Sequence, residues 1–275
     1  MRRKSVWATL LCLAVVAILA MAAAPASAIT YGALDGDLHP NVGAIVAEVP
    51  AGPWANGFVF DGGKTAVASG TLIAPRVFLT AGHVVAILES MGVTQVWVTF
   101  DPVFVRGVSN LIPGTMHANP NFRWTGSNAN DVAVITFAQD VTGIPLAKLP
   151  TARLLDQMTA ANGLHGQSFT EVGYGMQERT VGGGTPMWGP SGERRVATAT
   201  FNALTPAYLH LCMNPVLGDG GTSMFDSGGP NFIGTSNVIA ATTTGGDAAT
   251  RAMGTACRLD TPEARTFLGQ YLTLP

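Results

Sequence analysis

Ser227 sits in the run Phe225-Asp226-Ser227-Gly228-Gly229-Pro230, inside a glycine-rich stretch that begins at Gly218. Such a stretch packs no core and is expected to form a shaped loop. Glycines let a backbone turn tightly and let other groups approach it, which suits a serine hydroxyl and two backbone N–H groups set around a reacting carbonyl. An ordinary surface loop has the same composition, so the reading depends on what else the chain offers. A serine hydroxyl is nearly inert at neutral pH unless a base takes its proton. His83, closing the run Leu79-Thr80-Ala81-Gly82-His83, is the candidate base. Asp131, opening Asn130-Asp131-Val132-Ala133-Val134-Ile135, is the candidate carboxylate to orient it. Taken singly, His83 also reads as a core histidine and Asp131 as a turn residue before a strand.

These three segments follow one another in the order His, Asp, Ser at intervals of 48 and 96 residues. They resemble the motifs of the trypsin-like (chymotrypsin-fold) serine peptidases, in a secreted, bacterial-type form. The resemblance implies an all-β fold: two antiparallel six-stranded β-barrels with the active site between them, and a C-terminal α-helix. It also implies a serine endopeptidase working through an acyl-enzyme. His83 is then general base and later acid, Asp131 the orienter, Ser227 the nucleophile, and the N–H groups of Phe225 and Ser227 the oxyanion donors. Phe225 departs from the family, which has glycine there. Phenylalanine keeps the N–H, but a positive φ strains it, and losing one donor slows turnover about 10²- to 10³-fold. The alternative is a homologue that keeps the fold and binds a partner without turnover.

By the same resemblance Gly221 lies at the floor of the primary specificity pocket, where trypsin-type members carry an aspartate. Gly245 and Gly254 correspond to its open walls, and Thr243 to a serine beside the catalytic aspartate, although Thr243 also reads as an ordinary strand threonine. Without an acid at Gly221, a lysine or arginine enters an uncompensated apolar slot. A small or medium apolar side chain is therefore expected, not a trypsin-like basic one. Asp226 corresponds to the aspartate that forms a buried pair with a new N-terminal amine. Cleavage after Ala28 exposes Ile29 in Ile29-Thr30-Tyr31-Gly32, a partial match to the family's Ile-Val-Gly-Gly start. Cys212 and Cys257 correspond to adjacent strands behind the pocket, which predicts one disulfide; two free thiols read the same in sequence.

The elements that must position these residues are mostly strands. Val42 to Val49, Ser69 to Ile73, Val77 to Thr80, Val93 to Phe100 and Val132 to Phe137 form a first set rich in β-branched and aromatic residues. Phe169 to Gly175, Arg194 to Phe201, Leu209 to Met213, Val238 to Thr244 and Gly254 to Leu259 form a second set. Ala264, Phe267, Leu268, Tyr271 and Leu272 have helical spacing behind Thr261 and Pro262, which predicts a terminal helix. A short helix is expected over 152–162 and a mobile loop from Gly182 to Gly192.

Residues 1–28 combine Arg2-Arg3-Lys4, an apolar run from Val6 to Ala24 and the small residues Ala26-Ser27-Ala28. This is the layout of a signal peptide, with an uncleaved membrane anchor as the alternative. The expected organisation is 1–28 signal peptide, 29–150 N-terminal barrel with His83 and Asp131, and 151–275 C-terminal barrel with Ser227 and the helix. Removing 3 of the 15 basic residues with the leader leaves 12 against 17 acidic ones, so nucleic acid is not an expected partner. His39, His117, His165 and His210 lack metal-site spacing, and no metal or cofactor is expected. The expected partner is a polypeptide substrate, met by a secreted monomer with no membrane contact after leader removal.

Overall fold

The computed structural model describes residues 29, 31–53, 59–125, 129–176, 192–245 and 253–275. The leader at 1–28 and all but Gly192 of the glycine-rich segment 182–192 lie outside the described residues.

The first barrel comprises β2 (Val42–Pro53), β3 (Val59–Ala74), β4 (Val77–Thr80), β5 (Val96–Thr99), β6 (Ile112–Ala118) and β7 (Ala133–Phe137), closed in the order β2-β3-β4-β7-β6-β5. Apart from Thr80 and Thr136, strands β4 and β7 are apolar, because both of their faces are largely covered. Phe78 and Ile135 point into the barrel, whereas Val77, Leu79 and Val134 point into a second apolar cluster shared with the other barrel. This is the two-residue alternation of a strand carried by side chains that are all buried.

The second barrel comprises β8 (Ser168–Gly173), β9 (Arg195–Leu204), β10 (Tyr208–Cys212), β11 (Pro230–Ile233), β12 (Ile239–Gly245) and β13 (Met253–Arg258). It runs β9-β10-β13-β12-β11-β8 and closes through the β8–β9 pairing. The short strand β1 (Ala33–Leu34) adds to β9, so residues just after Ile29 join the second barrel rather than the first. Among the described residues, three short α-helices accompany the barrels: α1 (Gly82–Ser90), α2 (Leu154–Ala160) and α3 (Pro262–Leu268). Thr261 caps α3 by accepting from the Ala264 N–H at 3.3 Å. The helix ends at Leu268, before Tyr271 and Leu272, yet both of those side chains still pack on the shared cluster.

A buried polar clamp reinforces this apolar seam. Arg194, fully buried, donates from Nε to Asp35 Oδ2 at 2.9 Å. Its Nη1 donates to the carbonyls of Val42 at 3.1 Å and Phe100 at 2.9 Å on the first barrel, and to the Tyr174 hydroxyl at 3.0 Å. Removing one partner of a buried pair leaves the other uncompensated, at a cost of about 3 to 5 kcal/mol. Arg194→Leu is expected to lose stability of that order, read as a lower urea midpoint at unchanged slope.

The predicted disulfide is corrected by the strand register. Cys212 lies opposite Met253 and Cys257 opposite Tyr208 on the antiparallel pair β10–β13. The two cysteines are therefore offset by four residues along the strands, roughly 13 Å. A disulfide needs Cα atoms within about 7 Å. Both cysteines are free, Cys257 buried and Cys212 half-buried.

Candidate active site

His83 and Asp131 are far apart in sequence but adjacent in the first barrel. Strand β4 ends at Thr80, which pairs with Ala133 near the start of β7. His83, three residues past that end, and Asp131, two residues before that start, are thus delivered to one rim of the sheet. The Asp131 carboxylate is 1% exposed and accepts the His83 backbone N–H at 2.8 Å. His83 Nδ1 lies 3.0 Å from Oδ1 and 2.9 Å from Oδ2. A carboxylate only accepts, so Nδ1 carries the proton and Nε2 is left as the ring nitrogen able to accept one. Burial pushes the Asp131 carboxyl upward. The facing imidazole and its hydrogen bonds outweigh that and hold it below the ordinary carboxylate range, and the Thr244 hydroxyl acts in the same direction.

Ser227 arrives from the second barrel on the loop between the 3₁₀ turn Pro215–Leu217 and β11. The loop is pinned on both sides. The Gly228 N–H donates to the Thr243 carbonyl at 2.8 Å, and the Thr243 N–H to the Gly229 carbonyl at 2.9 Å. The Ser69 N–H of the first barrel donates to the Ser227 carbonyl at 3.0 Å. Gly228, at φ 82°, lies so close to β3 and the end of β4 that a side chain there would meet Thr80 Oγ1, the Ser69 carbonyl at 2.6 Å and the Ala81 nitrogen at 2.8 Å. That close approach carries the serine to the histidine. His83 and Ser227 line one cavity, with no hydrogen bond between imidazole and hydroxyl in this structure.

Ser69 is a positioning residue that sequence reasoning missed. Its hydroxyl donates to the Phe225 carbonyl at 3.0 Å and accepts the Tyr174 N–H at 2.9 Å, bridging the barrels beneath the serine loop. A serine inside an apolar strand is its only trace in the sequence. Phe225 itself is held at φ 71°, the left-handed region natural to glycine. The departure noted in sequence is thus a real outlier, of the kind that costs about 1 to 3 kcal/mol. Its ring lies 6.0 Å from that of Phe60, and packing offsets part of the strain. The Ser227 N–H, the other expected oxyanion donor, donates to no group among the described residues.

Asp226 is fully buried and accepts from the Gly175 N–H at 2.7 Å and the Ser223 N–H at 2.9 Å. Gly173 and Gly175 are glycine because the carboxylate occupies their side-chain space. Burial pushes the Asp226 carboxyl up to about 7, opposed by the hydrogen bonds from Ser223 and Gly175. In the uncleaved chain Ile29 is buried and its nitrogen is in a peptide bond to Ala28, so no ion pair with Asp226 forms.

Around the expected primary pocket, Gly221 is covered by the Met213 side chain, whose sulfur lies 2.6 Å from where a Cβ would stand. At Gly254 the same position is 3.4 Å from Glu171 Oε1 and 3.7 Å from Thr222 Oγ1. Gly245 has open space around it. The expectation for Thr243 is corrected. Its hydroxyl accepts from Asn231 Nδ2 at 3.1 Å, and a register shift between Thr243 and Gly245 places Thr244, one residue on, beside Asp131.

Glu171 is a second missed residue: a carboxyl 1% exposed, pushed up to about 8 by burial and then by the negative charges of Asp226 and Asp219. Its signal was an acidic side chain among the inward positions of a strand. Glu171 and Asp226 both hold protons in the folded chain at pH values where the unfolded chain has lost them. Stability is therefore fully present below about pH 4 for these groups and lost as pH rises toward 8. For an uncleaved Ser227→Ala chain, the melting temperature is expected to fall from pH 6 to pH 8.5, and Glu171→Gln to flatten that slope.

Among the described residues no group of three or more metal-ligating side chains comes together. Two closed barrels with a histidine, a buried aspartate and a loop serine at their junction define the chymotrypsin-type serine peptidase architecture. The family model for trypsin matches residues 42–261, and the chain belongs to the trypsin family of serine endopeptidases. HL collagenase shares the fold, with a TM-score of 0.60 at 16% identity over 87% of this chain and 96% of that one. No curated protein sequence matches the chain.

Proposed function

We propose that this serine endopeptidase is secreted as a monomer and hydrolyses polypeptides through an acyl-enzyme on Ser227. His83 is general base and then acid, Asp131 the orienter, and the N–H groups of Phe225 and Ser227 receive the oxyanion. The observation that carries this reading is the convergence of the carboxylate-bound His83 and Ser227 on one cavity from different barrels. Catalytic hydrogen bonds often tighten only when substrate binds, so an unmade bond from imidazole to hydroxyl is compatible with it. That same unmade bond is what favours the second reading, a homologue that binds without turnover.

Primary specificity is for a small or medium apolar side chain. Gly221 brings no acid, the Met213 thioether covers it, and Glu171 is protonated near neutral pH. Cleavage profiling on a peptide library, with Ser227→Ala as control, is expected to place alanine-, leucine- or methionine-type residues before the cut. Cleavage after lysine or arginine contradicts the specificity; no cleavage at all favours the second reading.

Removal of the leader, which lies outside the described residues, supplies the activating end: the Ile29 amine pairs with Asp226 and converts a raised carboxyl into an ionised one. Two residues added before Ile29 are expected to reduce activity at least tenfold, since an unpaired buried charge costs about 3 kcal/mol or more. Full activity of the extended chain contradicts this mechanism.

A further inference from the structure

The cavity that His83 and Ser227 share has a volume of about 160 Å³ and is otherwise lined by apolar side chains. Phe60 comes from β3, Val84, Ile87 and Leu88 from α1, and Phe225 from the serine loop. None of Gly221, Glu171, Met213 or Gly254, which mark the primary pocket, belongs to it. A cavity of roughly 150 Å³ with apolar walls is large enough to hold a benzene ring. Its position relative to the chemistry is set by His83, which hands its proton to the departing amine. The residue that carries that amine must lie against the imidazole, at the mouth of this cavity.

We propose that this cavity is a subsite for a large apolar side chain, leucine- or phenylalanine-sized, on the residue immediately after the scissile bond, and that the Phe225 ring is its specificity-determining wall. The inference rests on the acyl-enzyme reading above. It accounts for an aromatic residue at a left-handed backbone position that suits glycine. The ring packs on Phe60 and on the first-barrel core, so the residue that presents an oxyanion N–H also contacts the substrate's leaving portion. An apolar side chain entering the cavity presses on that ring and favours the strained conformation, so preference shows in the acyl-transfer step and not in binding alone.

Partitioning of the acyl-enzyme tests this. An ester substrate acylates Ser227, and added amino-acid amides compete with water. The amine attacks the ester carbonyl, the C–N bond forms, the bond to Ser227 Oγ breaks, and the proton from nitrogen returns to Oγ through His83. Phenylalanine amide and leucine amide are expected to capture the acyl group about 10- to 100-fold better than glycine amide, the range an apolar pocket discriminates. Phe225→Gly, which removes the ring, and Ile87→Asn, which makes another wall polar, are each expected to bring that ratio toward unity. Equal capture of all three amides by the wild-type enzyme overturns the subsite while leaving the acyl-enzyme reading intact. An undiminished ratio in both variants overturns the assignment to this cavity. Failure of any ester to acylate Ser227 overturns the reading beneath it, and the subsite with it.

Discussion

Ser227→Ala is expected to lower kcat by on the order of 10⁶-fold, with KM close to the wild-type value. The loop is held by backbone bonds from Gly228 to Thr243 and from Ser69 to the Ser227 carbonyl, none of which uses the hydroxyl. Alanine therefore removes the nucleophile and little else. His83→Ala is expected to cost about as much, and the double variant scarcely more, because nucleophile and base act as one unit. Steady-state kinetics on one peptide substrate with all three variants checks this. Losses that multiply in the double variant contradict a shared mechanism.

The second large effect is expected at Asp131. The aspartate receives both the backbone N–H and the Nδ1–H of His83, so its two oxygens fix the ring's orientation and its tautomer together. In Asp131→Asn the amide offers N–H groups where only acceptors stood, and the ring is driven to the tautomer whose Nε2 already carries a proton. A drop in kcat of about 10⁴-fold is expected. The pre-steady-state rate of acylation by an ester is the informative quantity. It falls in parallel with kcat if the base has been lost, and stays unchanged if Asp131 is merely structural. Asp131 also contributes stability above the ordinary carboxylate range that is lost as pH falls through its lowered value. The asparagine variant lacks that acid-side dependence.

The candidate site is legible in sequence because the three residues proposed for its chemistry sit at strand ends and in a glycine-rich loop, where short motifs stand out against β-rich surroundings. The strands that carry them were also legible, since β4 and β7 are apolar but for one threonine each. Helix α1 was not, because Val84 and Val85 belong to the β-branched residues that favour strands, and only tertiary packing overrides that preference. Strand β6 escaped notice because Pro113, Gly114 and a polar half interrupt its alternation, and β11 because it follows directly on the glycines of the serine loop. Register was the deeper obstacle. Four residues of offset between β10 and β13 part Cys212 from Cys257, and a shift of one in β12 exchanges Thr244 for Thr243. Neither pairing is encoded in local composition. The positive φ of Phe225 was anticipated as a condition, but the cavity its ring helps to enclose depends on Phe60 and α1, which no linear motif connects to it.

The central claim is that His83 activates Ser227 for covalent chemistry. Its most direct measurement is the mass of the mature chain after reaction with a fluorophosphonate, with the modified residue located by peptide mapping. The account predicts one phosphonyl group per chain, on Ser227, absent from Ser227→Ala and formed far more slowly in His83→Ala. A folded mature chain that stays unlabelled, or one labelled at the same rate without His83, contradicts it.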